Sequence, residues 1–169
     1  KGVLDVYEKV REQVDCRLVF CYNLPSDDPE GYRVYDDVYQ RASDYVEAGD
    51  VIFVVGNHAL LVNALQRSAA VVLQKSYREG FCLTVTEAMW KSAPVVATTA
   101  GGIPEQITDG EDGFLIDPAD INGTADRVIE LLKHPEYREA VGSKAQETVR
   151  RRFLTTRLIS DYIDIMVDL

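Results

Sequence analysis

Two glutamates eight positions apart, Glu79 and Glu87, bracket the stretch of this chain with the most chemical potential. Gly80, Phe81, Cys82, Leu83 and Thr84 lie between them, and Ser76-Tyr77-Arg78 leads in. Arg78-Glu79-Gly80 is a polar, turn-like cluster, whereas Leu83 to Lys91 combines good helix formers with an apolar stripe. The pattern predicts a loop that enters a helix near Leu83 or Thr84. The first N–H groups of such a helix have no internal partners, and together with the helix dipole they favour a bound phosphate. Side chains lean back toward a helix N-terminus, so Glu87, one turn in, aims its carboxylate at the mouth that Glu79 reaches from the loop. Amide donors for phosphate, beside two carboxylates that accept hydroxyl protons, suit a sugar joined to a nucleotide through a diphosphate.

By residue type alone both glutamates read as solvated surface charges. Their setting favours a site. The apolar run Ala70-Val71-Val72-Leu73, closed by Gln74-Lys75-Ser76, precedes the loop, and Pro94-Val95-Val96-Ala97-Thr98 follows the helix. The pair therefore falls at the carboxyl end of a strand in an alternating pattern, where open parallel sheets place their ligands. Gly101-Gly102, after the next strand, has two readings: a strand-exit turn that needs positive φ, and close backbone approach to a diphosphate or sugar. Lys75, Arg78 and Lys91 form a candidate basic spot, with Lys91 itself read as a solvated charge at a helix end.

The elements that must position these groups alternate along the chain. Helices are expected at Val3 to Val14, Tyr32 to Val46, Leu60 to Arg67 and Leu83 to Lys91, and three closing helices at Ile121 to Lys133, Pro135 to Arg151 and Thr155 to Leu169. Strands are expected at Arg17 to Tyr22, Val51 to Val55, Val71 to Leu73, Val95 to Thr98 and Gly113 to Pro118. Val51-Ile52-Phe53-Val54-Val55 is apolar throughout, as for a strand covered on both faces. Asn23 to Pro29 reads as a polar loop, and Pro104 suits the first turn of a short helix. Tyr32, Tyr35, Tyr39 and Tyr45 read as helix-face packing rather than a stacking platform for bases. Strand-helix alternation means an α/β fold, a parallel sheet with helices on both faces closed by C-terminal helices.

At 169 residues the chain is read as one domain, and it opens in helical periodicity without a start methionine, as a fragment of a longer protein. The net charge of -10 argues against nucleic acid and anionic membrane as partners. Cys16, Cys21 and Cys82 are an odd count without CxxC spacing and are read as buried thiols in a reducing cytoplasm. His58 and His134 have no ligating neighbour at metal spacing, so no metal and no cofactor are expected. No run reaches bilayer-spanning length and no signal peptide is visible. GxxxxGK[ST] and GxGxxG are both missing.

Glu79-Gly80-Phe81-Cys82-Leu83, Thr86-Glu87-Ala88, Pro94-Val95-Val96-Ala97, Gly101-Gly102-Ile103-Pro104-Glu105 and Asp109-Gly110-x-x-Gly113-Phe114-Leu115 together resemble, in order and spacing, the retaining GT-B glycosyltransferases of family 4. Leu73 to Ser76, Thr84 to Lys91 and Asp27-Asp28-Pro29-Glu30-Gly31 look most similar to the trehalose glycosyltransferring synthases of that group. The resemblance implies the C-terminal, Rossmann-like donor-binding domain of a two-domain enzyme. It implies that Glu79 acts at the reacting face by binding donor-sugar hydroxyls. Backbone N–H groups of Phe81, Cys82, Leu83 and Thr84 would hold sugar and diphosphate, with Ser76 and Gly80 beside them. Glu87 would grip the ribose, and Gly101 and Gly102 would admit the sugar-diphosphate. The partners implied are a nucleotide-diphosphate glucose donor and an acceptor sugar held mainly by the other domain. An upstream Arg and Lys would neutralise the diphosphate, and the isolated fragment is expected to turn nothing over. Base, acceptor and oligomeric state, a homodimer included, are left open. The chain departs from the family at Cys82 and near Ser92-Ala93, where the family carries Gly. A non-catalytic nucleotide-binding module and other hexosyltransferases are the competing readings. A glycosidase carboxylate pair is disfavoured, since it has no use for a phosphate-binding helix end.

Overall fold

Strands and helices alternate as the pattern requires. The computed structural model describes residues 2–23, 29–56 and 58–167. The elements are α1 (Val3–Arg11), β1 (Leu18–Tyr22), α2 (Pro29–Arg41), α3 (Ser43–Glu47), β2 (Val51–Val55), α4 (Ala59–Ser68), β3 (Val72–Gln74), α5 (Leu83–Trp90), β4 (Val95–Thr98), a 3-10 turn (Ile103–Glu105), β5 (Phe114–Ile116), α6 (Ile121–Lys133), α7 (Pro135–Arg152) and α8 (Thr155–Val167). Every ladder is parallel, and parallel neighbours need long crossovers, which the intervening helices supply.

Among the described residues the strands form two ladders, β1-β2 and β3-β4-β5, rather than one continuous hydrogen-bonded sheet. Helix α1 joins them. Its Leu4 and Tyr7 pack with Ala42 and Val51 against β1 and β2, while Val6 and Val10 pack with Ala125 and Ile129 of α6 and with Leu73 of β3. Strand β4 is the buried centre. Val95 and Ala97 face α5 and α7, and Val96 faces Phe114, Leu131 and Val141.

Three expectations need correction. The helix read as Tyr32 to Val46 breaks at Ala42, giving α2 and α3. Strand β2 is not covered on both faces, because Ile52 and Val55 are 41% and 53% exposed. It pairs only with β1 among the described residues, so its outer side meets solvent. The cysteines are not all buried: Cys82 is, Cys16 is half-buried and Cys21 is exposed, and all three are free. Cys21 lies within β1. The loop read as Asn23 to Pro29 lies largely outside the described residues. Tyr35 and Tyr39 of α2 pack on Phe53 with ring centroids 5.7 and 5.2 Å away, whereas Tyr32 is exposed.

Helix α5 has only 8 residues, too few to persist alone in water. Val85, Ala88 and Met89 are fully buried beneath it, and each large apolar side chain so buried contributes about 1.5–3 kcal/mol. Burial therefore holds its axis. Helix α7 supports the far end: Gln146 Nε2 donates to Trp90 O at 2.8 Å, and Gly142 passes over the Ser92 turn. A Cβ at Gly142 would lie 2.1 Å from Ser92 O. Gly142→Ala is expected to destabilise the fold by about 2 kcal/mol in urea unfolding, although alanine has the better helix propensity by about 1 kcal/mol. An alanine variant of equal stability would mean that α7 does not pack this closely.

The positions that lack the family's glycines are informative. Cys82 and Ser92, with φ of 70° and 59°, are the non-glycine residues in the left-handed region among those described. At each, glycine is expected to be about 1 kcal/mol more stable than alanine, since a Cβ strains this backbone. Equal melting of the paired Gly and Ala variants would show that no such strain is present.

Candidate functional site

The site begins where the β3–β4 ladder stops. The last paired residues are Gln74 and Ala97. Beyond them Thr98 Oγ1 takes over the pairing: it accepts from Ser76 N at 3.1 Å and donates to Ser76 O at 2.6 Å. A side chain thus satisfies the buried backbone of Ser76 and frees the chain to turn outward as the Glu79 loop.

The Glu79 carboxylate is half-buried and tied to its own loop. Oε2 accepts from Ser76 Oγ at 3.3 Å, and Oε1 accepts from Gly80 N at 3.2 Å. Ser76 Oγ is itself oriented by Gln74 Nε2 at 3.0 Å. Helix α5 then starts at Leu83 behind Cys82, which makes no side-chain capping hydrogen bond, and its first turn carries no acidic residue. Its N-terminal amides and dipole therefore present positive character at the loop, with Glu79 as the nearby carboxylate. Leu83 and Thr84 are exposed there, and Phe81 is 43% exposed. Burial, with the nearby Glu79 carboxylate, pushes the Cys82 thiol up from its ordinary pKa, so it stays protonated near neutrality.

Gln106, fully buried, locks three parts of this arrangement together. Its Nε2 donates to Phe81 O and, at 3.5 Å, to Gly102 O, while Thr86 Oγ1 donates to its Oε1. The Gly101-Gly102 turn is held to the same loop, with Gly102 N donating to Gly80 O at 2.7 Å. Gly101 has φ +55°, and a Cβ there would sit 1.9 Å from Glu79 O. The strand-exit turn with its positive φ is present at Gly101, and the pair lies close against the backbone of the Glu79 loop.

Glu87 stands exposed one turn into α5, on the face toward α4, where Gln66 Nε2 donates to its Oε2 at 3.4 Å. Lys91 is not the solvated charge expected, because its Nζ donates to Gln66 Oε1. Lys75 is buried and turned away from the loop, donating to Pro118 O at 2.7 Å. Its burial holds the ammonium below the usual lysine range, against the opposing pull of Asp120 and Asp117. Arg78 is exposed at the loop. The structure thus brings Ser76, Glu79, Gly80, Phe81, Cys82, Leu83, Thr84, Gly101 and Gly102 into one surface at the carboxyl ends of β3 and β4, with Glu87 one turn behind. Sequence reasoning missed Thr98, Gln106 and Gln66. Thr98 was visible as the polar end of a strand, whereas nothing local marks Gln66.

Among the described residues no group of three His, Cys, Asp or Glu side chains gathers to hold a metal ion, and no helix is long and apolar enough to cross a membrane.

Comparison with known proteins gives this surface a context. The family described as Glycosyl transferases group 1 matches residues 1–148. The chain is similar to the trehalose synthases of Pyrococcus horikoshii, 42% identical over 98% of this chain, and of Rubrobacter xylanophilus, 43% identical over 99%. In both cases it spans about 40% of the relative's length. In fold it is similar to Anabaena HepE solved in complex with UDP, with a TM-score of 0.83 at 20% identity, covering 100% of this chain and 46% of that one. It also resembles the C-terminal domain of a Francisella tularensis group 1 glycosyl transferase, with a TM-score of 0.69 at 19% identity, covering 88% of this chain and 92% of that one. By the extent of the family match and by its identity to these relatives, the chain belongs to the group 1 glycosyltransferases.

Proposed function

We propose that residues 1–169 form the donor-binding half of a retaining glycosyltransferase that moves glucose from a nucleotide diphosphate to an acceptor sugar, giving trehalose when that acceptor is glucose. The observation that carries this reading is the placement of Glu79 and Glu87 about an α5 N-terminus that has neither a side-chain cap nor an acidic first turn. The relatives named trehalose synthase match across the whole of this surface, and HepE was solved with UDP and with UDP-glucose.

In this reading the diphosphate lies at the α5 N-terminus. The amides of Phe81, Cys82, Leu83 and Thr84 stabilise the negative charge that grows on it as the anomeric bond breaks. These donors are fixed before the reaction, because Gln106 and the buried face of α5 hold the loop. Glu79, oriented by Ser76, accepts hydroxyls of the donor sugar beside the reacting carbon. Glu87 accepts the ribose hydroxyls. Retention proceeds on the front face without a covalent nucleophile; the protonated Cys82 thiol offers none. A second domain brings the acceptor, and an upstream Arg and Lys complete the neutralisation of the diphosphate. A cytoplasmic setting agrees with three free cysteines, one of them exposed.

The test is steady-state kinetics of the full-length protein with UDP- and ADP-glucose as donors. Glu87→Ala is expected to weaken donor binding about tenfold or more, the loss of a charge-assisted hydrogen-bond acceptor, with kcat little changed. Glu79→Ala is expected to lower kcat by about a hundredfold while UDP binds as before. Unchanged kinetics in both variants would remove the site.

A further inference from the structure

We propose that Gln66 is a positioning residue for Glu87, and that through it α4 sets the preference for a ribonucleotide over a deoxyribonucleotide donor. This rests on the reading of Glu87 as the ribose acceptor. Gln66 belongs to no part of the Glu79–Glu87 motif. It is a polar side chain only 7% exposed, reaching from α4 to the face of α5 that carries Glu87 and Lys91.

The chemistry of the three groups allows one arrangement. An ammonium can only donate and an ionised carboxylate can only accept. Lys91 Nζ must therefore meet the amide oxygen, which leaves the amide nitrogen for Glu87, and this is the pattern present. The reversed amide would set its carbonyl against the carboxylate and its NH2 against the ammonium. Lys91, four residues after Glu87 on the same helix face, thus fixes the amide, and the amide fixes one carboxylate oxygen.

The consequence is specific to the ribose. Glu87 is otherwise an exposed side chain with several rotatable bonds, and holding a free glutamate against a ligand costs conformational entropy. A carboxylate with one oxygen already held can accept from two vicinal hydroxyls at less of that cost, the general gain from preorganisation. Ribose offers such a pair and 2′-deoxyribose does not. Removing Gln66 should therefore weaken the ribonucleotide and leave the deoxynucleotide almost untouched.

The experiment measures dissociation constants of the full-length protein for UDP against 2′-deoxy-UDP, and ADP against 2′-deoxy-ADP, by calorimetry. Wild type is expected to prefer the ribonucleotide about tenfold, the worth of one hydrogen bond to a charged group. Gln66→Leu should bring that ratio to about twofold or less by weakening the ribonucleotide alone, as preorganisation is lost. Gln66→Glu, which keeps the shape and an acceptor for Lys91 but cannot donate to Glu87, should do the same, and it serves if the leucine variant does not fold. A merely structural role would weaken both nucleotides together and leave the ratio intact; that result overturns the proposal. Glu87→Ala separates the two ideas. If it abolishes the ratio while both Gln66 variants keep it, the positioning role is wrong and the ribose reading stands. If Glu87→Ala keeps the ratio, or wild type shows none, the ribose reading falls and the positioning role with it.

Discussion

One buried amide, Gln106, holds together the parts on which the rest of this site depends. It is fully enclosed and uses both ends, donating to Phe81 O and Gly102 O and accepting from Thr86 Oγ1. These partners sit on the Glu79 loop, the turn after β4 and the body of α5. A buried amide with unmet hydrogen bonds is costly, so the three segments are bound to one mutual geometry. The Thr98–Ser76 exchange plays the same part at the root of the loop, in place of a ladder that has ended. Neither group needs to touch a ligand. Each converts the burial of α5 and β4 into a defined direction for the amides at the α5 N-terminus.

Much of this was legible in the sequence, for reasons that differ from element to element. Leu83 marked the start of α5 because the apolar stripe is strict and the loop before it polar; α5 does begin there. Strand β4 was legible as an apolar run and is buried at every position. The same reasoning failed for β2, since an apolar run records what a strand can bury and not what covers it; Val55 is 53% exposed. The break at Ala42 was hidden because alanine is the best helix former and gives no stop signal. These contacts of Gln66 and Gln106 reach across 20 to 25 positions, so they are products of tertiary packing and leave no local mark.

Cys82 and Ser92 show how a departure from a motif can still report its physics. A missing glycine was noted at Cys82 and near Ser92-Ala93, and both Cys82 and Ser92 hold left-handed backbone. The fold thus keeps the backbone that glycine would adopt freely while carrying a side chain at each. It can do so because the neighbours over-determine the turns. Lys91 N and Ser92 N both return to the last turn of α5, and α7 closes over Ser92 through Gly142. At Cys82 the thiol is buried and Phe81 O is held by Gln106.

Electrostatics decides whether a chain with a net charge of -10 can hold a diphosphate. At physiological salt the screening length is about 8 Å, so distant surface carboxylates contribute little and the local groups dominate. Locally, Lys75 is committed to Pro118 O and cannot serve as the counter-charge. Within this chain the positive character comes from the α5 amides, with exposed Arg78 nearby, and in the proposed reading an upstream Arg and Lys add to it. Glu79 and Glu87 would oppose it, yet each already accepts hydrogen bonds from neutral donors: Ser76 Oγ and Gly80 N for the first, Gln66 Nε2 for the second. Such donors draw down the field of a carboxylate without removing its remaining lone pairs. In the proposed reading the two glutamates thus keep lone pairs free for a sugar's hydroxyls while standing near an anion.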